Sequence, residues 1–417
     1  MSDKEAAWLG SREASDRLGV KLATLYAYAS RGLVESVPGD GRRGRLYSSR
    51  DIERLRVRHR ARSGHAPVAA SALRYGEPVL DTRISEVAAD GPRYRGYLAT
   101  DLCRDGVSFE RVAELLWTGT LPEAGAALAV KQGTFDAAPV WSLLEGSAVL
   151  PRMSLLLAAL ALRDDHRHAA TDAAERVRAR AVCHWLAQAP RRRPPRENAR
   201  PRIAGTLARA LGAPSTGPIM LAIERALVLC AEHELNASTF AARVAASAGA
   251  DLYACLGAAL NTLSGTAHGG MCDRVEGLLD SIGKKERASR IVHDWLARGE
   301  QVPGFGHALY PAGDPRGALL IELARGHGAR SESAKVGFAL LETMRSGGHP
   351  EPTLDGGLVI LCRCLELPRG SASALFAVGR SAGWVAHILE QRSAGYLLRP
   401  RARYVGTRAV TPSRAPV

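Results

Sequence analysis

Residues 261–274 read NTLSGTAHGGMCDR, with small residues and glycines crowded around one histidine, His268. A lone histidine in such a chain is usually a satisfied structural group. A second stretch changes the balance: VPGFGHALYPAGDPR, residues 302–316, sets His307 directly behind two more glycines. Stripping side chains from around an imidazole is what a chain does where a ligand must approach backbone closely. Taken as a set, the two stretches point to a presented site rather than to packing.

Around them the text is helical. The chain has 417 residues, enough for two or three domains, with 46% hydrophobic and 24% charged residues and few aromatics. SFERVAELLWTGTLP (108–122) reads as an amphipathic helix capped by Ser108 and stopped at Gly119. VLPRMSLLLAALAL, TDAAERVRARAVCHWLAQ, IMLAIERALVLCAEH, LYACLGAALNTLSG and SALFAVGRSAGWVAHILEQ repeat the theme, several nearly apolar all round, as buried helices are. Past the first 79 residues, only the segment around Asp90-Gly91 suggests a pair of small strands. There is no βαβ alternation, no GxGxxG after a strand and no P-loop, which excludes the common nucleotide folds. No apolar run reaches 18 residues, so no membrane span is expected. MSDKEAAWLG carries no basic-then-apolar signal, and the seven cysteines show no CxxC or zinc-type spacing. Buried free thiols in a cytoplasmic protein are the expectation.

Net charge is +14, nearly all of it arginine, and it is uneven. Residues 1–62 hold 14 Lys and Arg against 8 Asp and Glu. This stretch reads as two short helices, with Ser11 as the first N-cap and Leu25, Tyr28 and Leu33 near one face of the second. A small wing about PGDG (38–41) follows, then a basic helix. A second basic patch, PRRRPPRENARPR (190–202), is a proline-rich loop that suits either an anionic partner or plain solubility. Residues 63–79 look like a linker.

Polar residues gather at the ends of the later helices: His233, His268, His307, Arg316, Asp355, Arg380 and Arg399. Each has a structural alternative. Asp355 fits an N-cap, and Arg380 fits a partner for a buried carboxylate. No HExxH-type spacing supports a metal, and none is expected.

Residues 1–62 resemble the winged helix-turn-helix of the MerR type. In that resemblance Thr24, Tyr26 and Arg31 face a DNA groove, and Arg42, Arg43 and Arg45 face phosphates. A domain kept for oligomer or protein contacts is the other reading. From about residue 80 the chain resembles citrate synthase. DGPRYRGY, SFERVAELLWTGTLP, HELNAST, SGTAHGG, VPGFGHALYPAGDPR, PTLDGG, GRSAGWVAHILEQ and RPRARYVG occur in the family's order. The resemblance implies an all-α homodimer, its large domain formed by 80–268 and 366–417 and its small domain by 269–365. It implies condensation of acetyl-CoA with oxaloacetate, without a permanently bound cofactor. Asp355 would be the base, His268 the donor to the enol oxygen and His307 the donor to the ketone. His233, Arg316, Arg380 and Arg399 would hold oxaloacetate, Arg399 reaching across the dimer. Gly304 and Gly306 would accept coenzyme A.

The chain also departs from the family. Met271 and Cys272 replace a small and a polar residue, Thr353 stands for an asparagine, and LPRM (150–153) lacks the usual histidine. Gly356 and Gly357 replace bulkier residues after Asp355. A roomier acyl site would suit propionyl-CoA and 2-methylcitrate synthesis, or cleavage of citryl-CoA. A regulator that binds DNA and senses acyl-CoA or oxaloacetate is the alternative from another class.

Overall fold

The computed structural model describes residues 8–30, 33–39, 44–49, 51–52, 55, 80–125, 138–143, 148–169, 171–191, 193–194, 202–266, 268–401 and 406. The chain divides into two compact units: Met1–Asp81 with Arg399–Val417, and Thr82–Leu398.

The first unit contains β1 (Trp8–Gly10), α1 (Ser11–Leu18), α2 (Leu22–Ser30), β2 (Ser36–Pro38) and β3 (Arg45–Ser48). The wing expected about PGDG is the antiparallel β2–β3 pair, with Val37 opposite Leu46. A third strand, β1, was not expected. It pairs with β3, Leu9 opposite Tyr47, so that the sheet order is β1-β3-β2. Gly19 ends α1 in the left-handed conformation that glycine reaches without strain. Ser11 is not a cap: Gly10 holds that position, and the Ser11 hydroxyl donates to the carbonyl of Arg45 at 3.4 Å. Leu33 does not take the inward position expected of it. It is 44% exposed, and Val34, at 1%, fills the core with Leu9, Leu18, Leu25, Tyr47 and Ile52. The chain has left α2 by then, and helical spacing no longer decides which side chain points inward. Of the basic helix that follows the wing, Ser49, Asp51, Ile52 and Leu55 are described as helical, and Ile52 and Leu55 are buried.

The second unit is mainly helical. The two strands expected about Asp90-Gly91 are β4 (Ser85–Ala88) and β5 (Gly91–Tyr94), joined by β6 (Tyr97–Leu98). Tyr94 anchors this sheet to the helices by donating its buried hydroxyl to the carbonyls of Val228 and Leu229. The helices continue as α3 (Ala99–Arg104), α4 (Phe109–Thr118), α5 (Ala138–Leu143), α6 (Val149–Ala161), α7 (Asp172–Gln188) and α8 (Ile203–Ala210). Then come α9 (Gly217–Cys230), α10 (Ala237–Ser247), α11 (Leu252–Leu263), α12 (Met271–Ile282) and α13 (Ala288–Ala297). The last four are α14 (Pro315–His327), α15 (Glu332–Ser346), α16 (Leu354–Cys364) and α17 (Ser371–Ala394). Their starts are set by caps: Ser108, Thr171, Asn236, Asp251, Asp314, Ser331 and Thr353 each accept a first-turn N–H. The helices α12 and α14 follow the two glycine stretches and were not read from the sequence.

The axis of this unit is α17, buried at every residue from Ser371 to Leu389. A nearly apolar helix of this length can only be stable inside other helices; α9, α10 and α4 pack around it. Gly383 lets α17 approach the end of α9. A Cβ there would lie 2.4 Å from the carbonyl oxygen of Ala231, to which the Gly383 N–H donates at 3.0 Å. That approach presents Arg380 to the segment carrying His233.

Among the described residues, no helix is long and apolar enough to cross a membrane. The seven cysteines are free and buried.

Candidate active site

Six of the seven catalytic and oxaloacetate-binding candidates belong to one cluster, assembled from helix starts, the loops beside them and, for Arg380, the interior of α17. His233 follows α9 and lies at its centre. Its Nε2 is 3.1 Å from the Tyr310 hydroxyl, and its ring meets that of His307 edge-on at 5.4 Å. Burial, then the charges of Arg316 and Arg380 and the rings of His307 and His268, drives the His233 pKa well below the usual imidazole value. His233 is therefore neutral at pH 7 and feels four of the other candidates at once.

His307 sits in the loop before α14. Its Nδ1 accepts the Leu309 N–H at 3.1 Å. An imidazole nitrogen that accepts carries no proton, so neutral His307 bears its N–H on Nε2. Burial lowers its pKa, against the pull of Asp314.

Arg316 opens α14. Asp314, which caps that helix, grips the guanidinium through Oδ1 at 3.0 Å and Oδ2 at 2.8 Å. Nη1 of Arg316 is buried and, among the described residues, has no hydrogen-bond partner. Arg380 donates from Nε to the carbonyl of Cys230 at 2.8 Å and lies over the Phe376 ring at 5.0 Å. Among the described residues it has no ion pair with a carboxylate; the nearby charge of Glu232 acts on it at longer range.

His268 lies between α11 and α12. Its Nε2 is 2.8 Å from Ser238 Oγ, which also accepts the Trp384 indole N–H at 3.1 Å. Burial, and next the charge of Arg380, brings its pKa down to about 4. The glycines beside it serve packing. A Cβ on Gly269 would lie 2.3 Å from a Leu263 methyl, and one on Gly270 would lie 3.0 Å from the Gly265 carbonyl. They fold the turn back onto the end of α11.

Asp355 is in the first turn of α16, but Thr353 provides the cap, accepting the Gly356 N–H at 3.4 Å. The capping alternative for Asp355 is thus removed. Burial pushes its carboxyl up to about 6, against the Cys272 thiol and the Arg316 guanidinium, which pull it down. The loop of Gly304 is sewn to the start of α16: the N–H and hydroxyl of Thr353 both donate to the Gly304 carbonyl, at 2.8 and 3.2 Å.

The other glycines also have packing reasons. Gly304 and Gly306 have φ of +83° and +77°, and a Cβ on Gly304 would press on Val275 and Gly356. Gly356 would meet the Gly304 carbonyl at 2.4 Å, and Gly357 the Leu320 Cβ at 2.9 Å. The space that a Cβ would take at the two glycines after Asp355 is filled by neighbouring backbone and side chains.

Arg399 is exposed and groups with the first unit. In that unit Tyr26, on α2, is 50% exposed and Thr24 is half-buried. Arg45 is exposed, with its guanidinium bonded to Ser36 across the wing. Arg31, Arg42 and Arg43 lie outside the described residues. Sequence reasoning missed Ser238, Tyr310 and Asp314 as supports of the cluster. Asp314 and Arg316 lie two apart around a proline, a spacing that lets one side chain cap a helix and hold the other. That was the available signal.

The citrate synthase C-terminal domain family matches residues 74–401. This chain belongs to the citrate synthase family. Residues 10–69 match the MerR HTH family regulatory proteins. Citrate synthase 2 of Bacillus subtilis is 32% identical over 352 residues, covering 79% of this chain and 94% of that protein. Putative citrate synthase 2 of Mycobacterium tuberculosis is 41% identical over 190 residues, or 44% of this chain. The chain spans about half of that relative's length, 51%. Citrate synthase from Thermotoga maritima has a similar structure, with a TM-score of 0.68 and 27% identity over 81% of this chain and 96% of that one.

Proposed function

We propose that the second unit condenses acetyl-CoA with oxaloacetate to citrate and free coenzyme A. The observation that carries this reading is the pairing of neutral imidazoles with a desolvated carboxyl. His268 is brought down to about 4 while Asp355 is raised to about 6. Environments that push titratable groups in opposite directions assign acid and base roles.

Asp355 takes a proton from the acetyl methyl, leaving an enolate whose oxygen is hydrogen-bonded by His268. The enolate carbon attacks the oxaloacetate ketone, whose oxygen is hydrogen-bonded by the Nε2–H of His307 and takes that proton as the new bond forms. The proton taken by Asp355 replaces the one that His307 gives up, so the site returns to its starting charge. Water hydrolyses the resulting citryl thioester and coenzyme A leaves. Arg316 offers Nη1 to a substrate carboxylate, and Arg380 and His233 hold the rest of the ketoacid. Arginine suits this because its planar fork meets a carboxylate in two places. The loop of Gly304 and Gly306 takes coenzyme A through its backbone. The enzyme works in the cytoplasm as a homodimer in which Arg399 reaches the other subunit's oxaloacetate. Mixing Asp355→Asn and Arg399→Ala chains then restores turnover that neither has alone.

A thiol-release assay over acetyl-CoA and propionyl-CoA, each with several ketoacids, tests the reaction. The expected optimum is acetyl-CoA with oxaloacetate. Preference for propionyl-CoA makes the enzyme a 2-methylcitrate synthase, and no release with any pair overturns the reading.

The MerR match and the exposed Tyr26 and Arg45 support a second activity, binding of DNA by the first unit. Affinity for DNA from its own locus should fall steeply with salt. No binding at low salt removes this activity and leaves the enzyme reading intact.

A further inference from the structure

The base and the thiol beside it form a pair that the reaction scheme does not use. Cys272, in the first turn of α12, is fully buried and donates from Sγ to Oδ1 of Asp355 at 3.3 Å. Among the described residues it is the only side chain that donates to this carboxylate. Two short helix starts, from α12 and α16, are thereby tied at the atom that matters. We propose that Cys272 is a positioning residue for the base: its thiol holds Oδ1 of Asp355 and leaves Oδ2 to face the acyl methyl. This rests on the condensation proposed above.

The choice of thiol has a physical reason. A carboxylate swinging about its side-chain torsions loses the alignment that proton abstraction needs. A strong donor would fix it but would also stabilise the anion and weaken the base. A thiol is a weak donor, so it restrains the carboxylate at little cost in basicity. Burial holds the Cys272 pKa well above the usual thiol value, with Asp355 acting in the same direction, so the proton stays on sulfur. The other charged or titratable groups acting on Asp355 are Arg316 and Asp314 at the start of α14 and Cys230 at the end of α9.

The test uses the full-length protein with Cys272→Ala and Cys272→Ser, and two readouts. The first is the pH profile of acetyl-CoA turnover. Cys272→Ala should lower kcat on the order of tenfold, because the carboxylate loses its alignment with the acyl methyl. It should also move the acid limb by a small step to higher pH, because a weak donor that favoured the anion is gone. Cys272→Ser, which keeps a donor, should return most of kcat and bring the limb to or below its wild-type position. The second readout needs no activity: the infrared S–H stretching band of Cys272, isolated as wild type minus Cys272→Ala. It should lie at the low frequency of a bonded thiol and shift as Asp355 titrates. In Asp355→Asn it should stop responding to pH.

A band that ignores pH and Asp355→Asn overturns the proposal. So does a folded Cys272→Ala enzyme with wild-type kcat and acid limb. If the band titrates as expected but no acyl-CoA is turned over, the pairing stands. The condensation falls, and with it the role assigned to the pairing.

Discussion

Asp314 holds Arg316 with both carboxylate oxygens, at 3.0 and 2.8 Å, and leaves Nη1 of the guanidinium buried and without a hydrogen-bond partner among the described residues. One face of the cation is spent on orientation and the other is available. A buried unpaired donor costs free energy unless a ligand satisfies it, so the pair is built to be completed.

Arg316→Lys should therefore raise the KM for oxaloacetate by about tenfold or more, since a point charge cannot serve Asp314 and a second carboxylate together. Asp314→Ala should act on stability as well. It leaves a buried guanidinium uncompensated, a loss of about 3–5 kcal/mol, read from urea unfolding. An Asp314→Ala protein as stable as wild type would show that the pair is not buried as described.

As the proposed base, Asp355 gives the pH dependence its sign. Its pKa is raised to about 6, and a base works only when deprotonated. Turnover should fall as pH drops through about 6 rather than through the ordinary carboxylate range, visible in kcat/KM against pH. Asp355→Asn should lose about 10²–10⁴-fold. An acid limb near 4 would mean that the carboxyl is solvated in the working enzyme.

The sequence made the residue types of the site legible, because His268, His307, Asp355 and the arginines stand in ordered motifs. The supports were harder to see. Ser238 and Tyr310 look like ordinary members of those motifs until the fold brings them 2.8 Å from His268 and 3.1 Å from His233. The glycines misled for a related reason. Gly269, Gly356 and Gly357 read as open access, but a missing Cβ equally permits backbone to pack closer, and sequence does not distinguish the two. The first strand escaped notice because three residues carry no alternation, and the pairing of Leu9 with Tyr47 spans nearly forty positions.

Ser238 sets a constraint on His268. Its hydroxyl has one proton and two neighbouring acceptors, Asn236 Oδ1 and His268 Nε2, each at 2.8 Å. Only if the proton goes to His268 does the neutral ring carry its N–H on Nδ1, free to donate to an enol oxygen. Nitrogen NMR of the imidazole should show that tautomer when an enol analogue is bound. Ser238→Ala should lower kcat about tenfold and stability by about 1–3 kcal/mol, through the unpaired Trp384 and His268. The linkage sign follows from the His268 pKa, about 4 folded against about 6.5 unfolded. The unfolded chain takes the proton first, so this residue costs stability as pH falls from 6.5 towards 4. His268→Gln should narrow the difference in unfolding midpoint between pH 7 and pH 5.

The glycines after Asp355 allow a sharper experiment on what the site accepts. If they opened the acyl pocket, Gly356→Ala and Gly357→Ala would leave stability alone and shift preference from propionyl-CoA towards acetyl-CoA. The packing argues for the reverse. A methyl on Gly356 would overlap the Gly304 carbonyl, and one on Gly357 would press on Leu320 and on the Gly317 carbonyl at 3.0 Å. Backbone cannot yield as a flexible side chain can, and forced overpacking costs about 1–3 kcal/mol. Each substitution should therefore lower the unfolding midpoint. Each should also reduce turnover of both thioesters in proportion, because α16 is pushed away from the loop that it shares with Gly304 and Asp355 moves with it. A selective loss of propionyl-CoA turnover at unchanged stability would return these residues to the role of pocket lining.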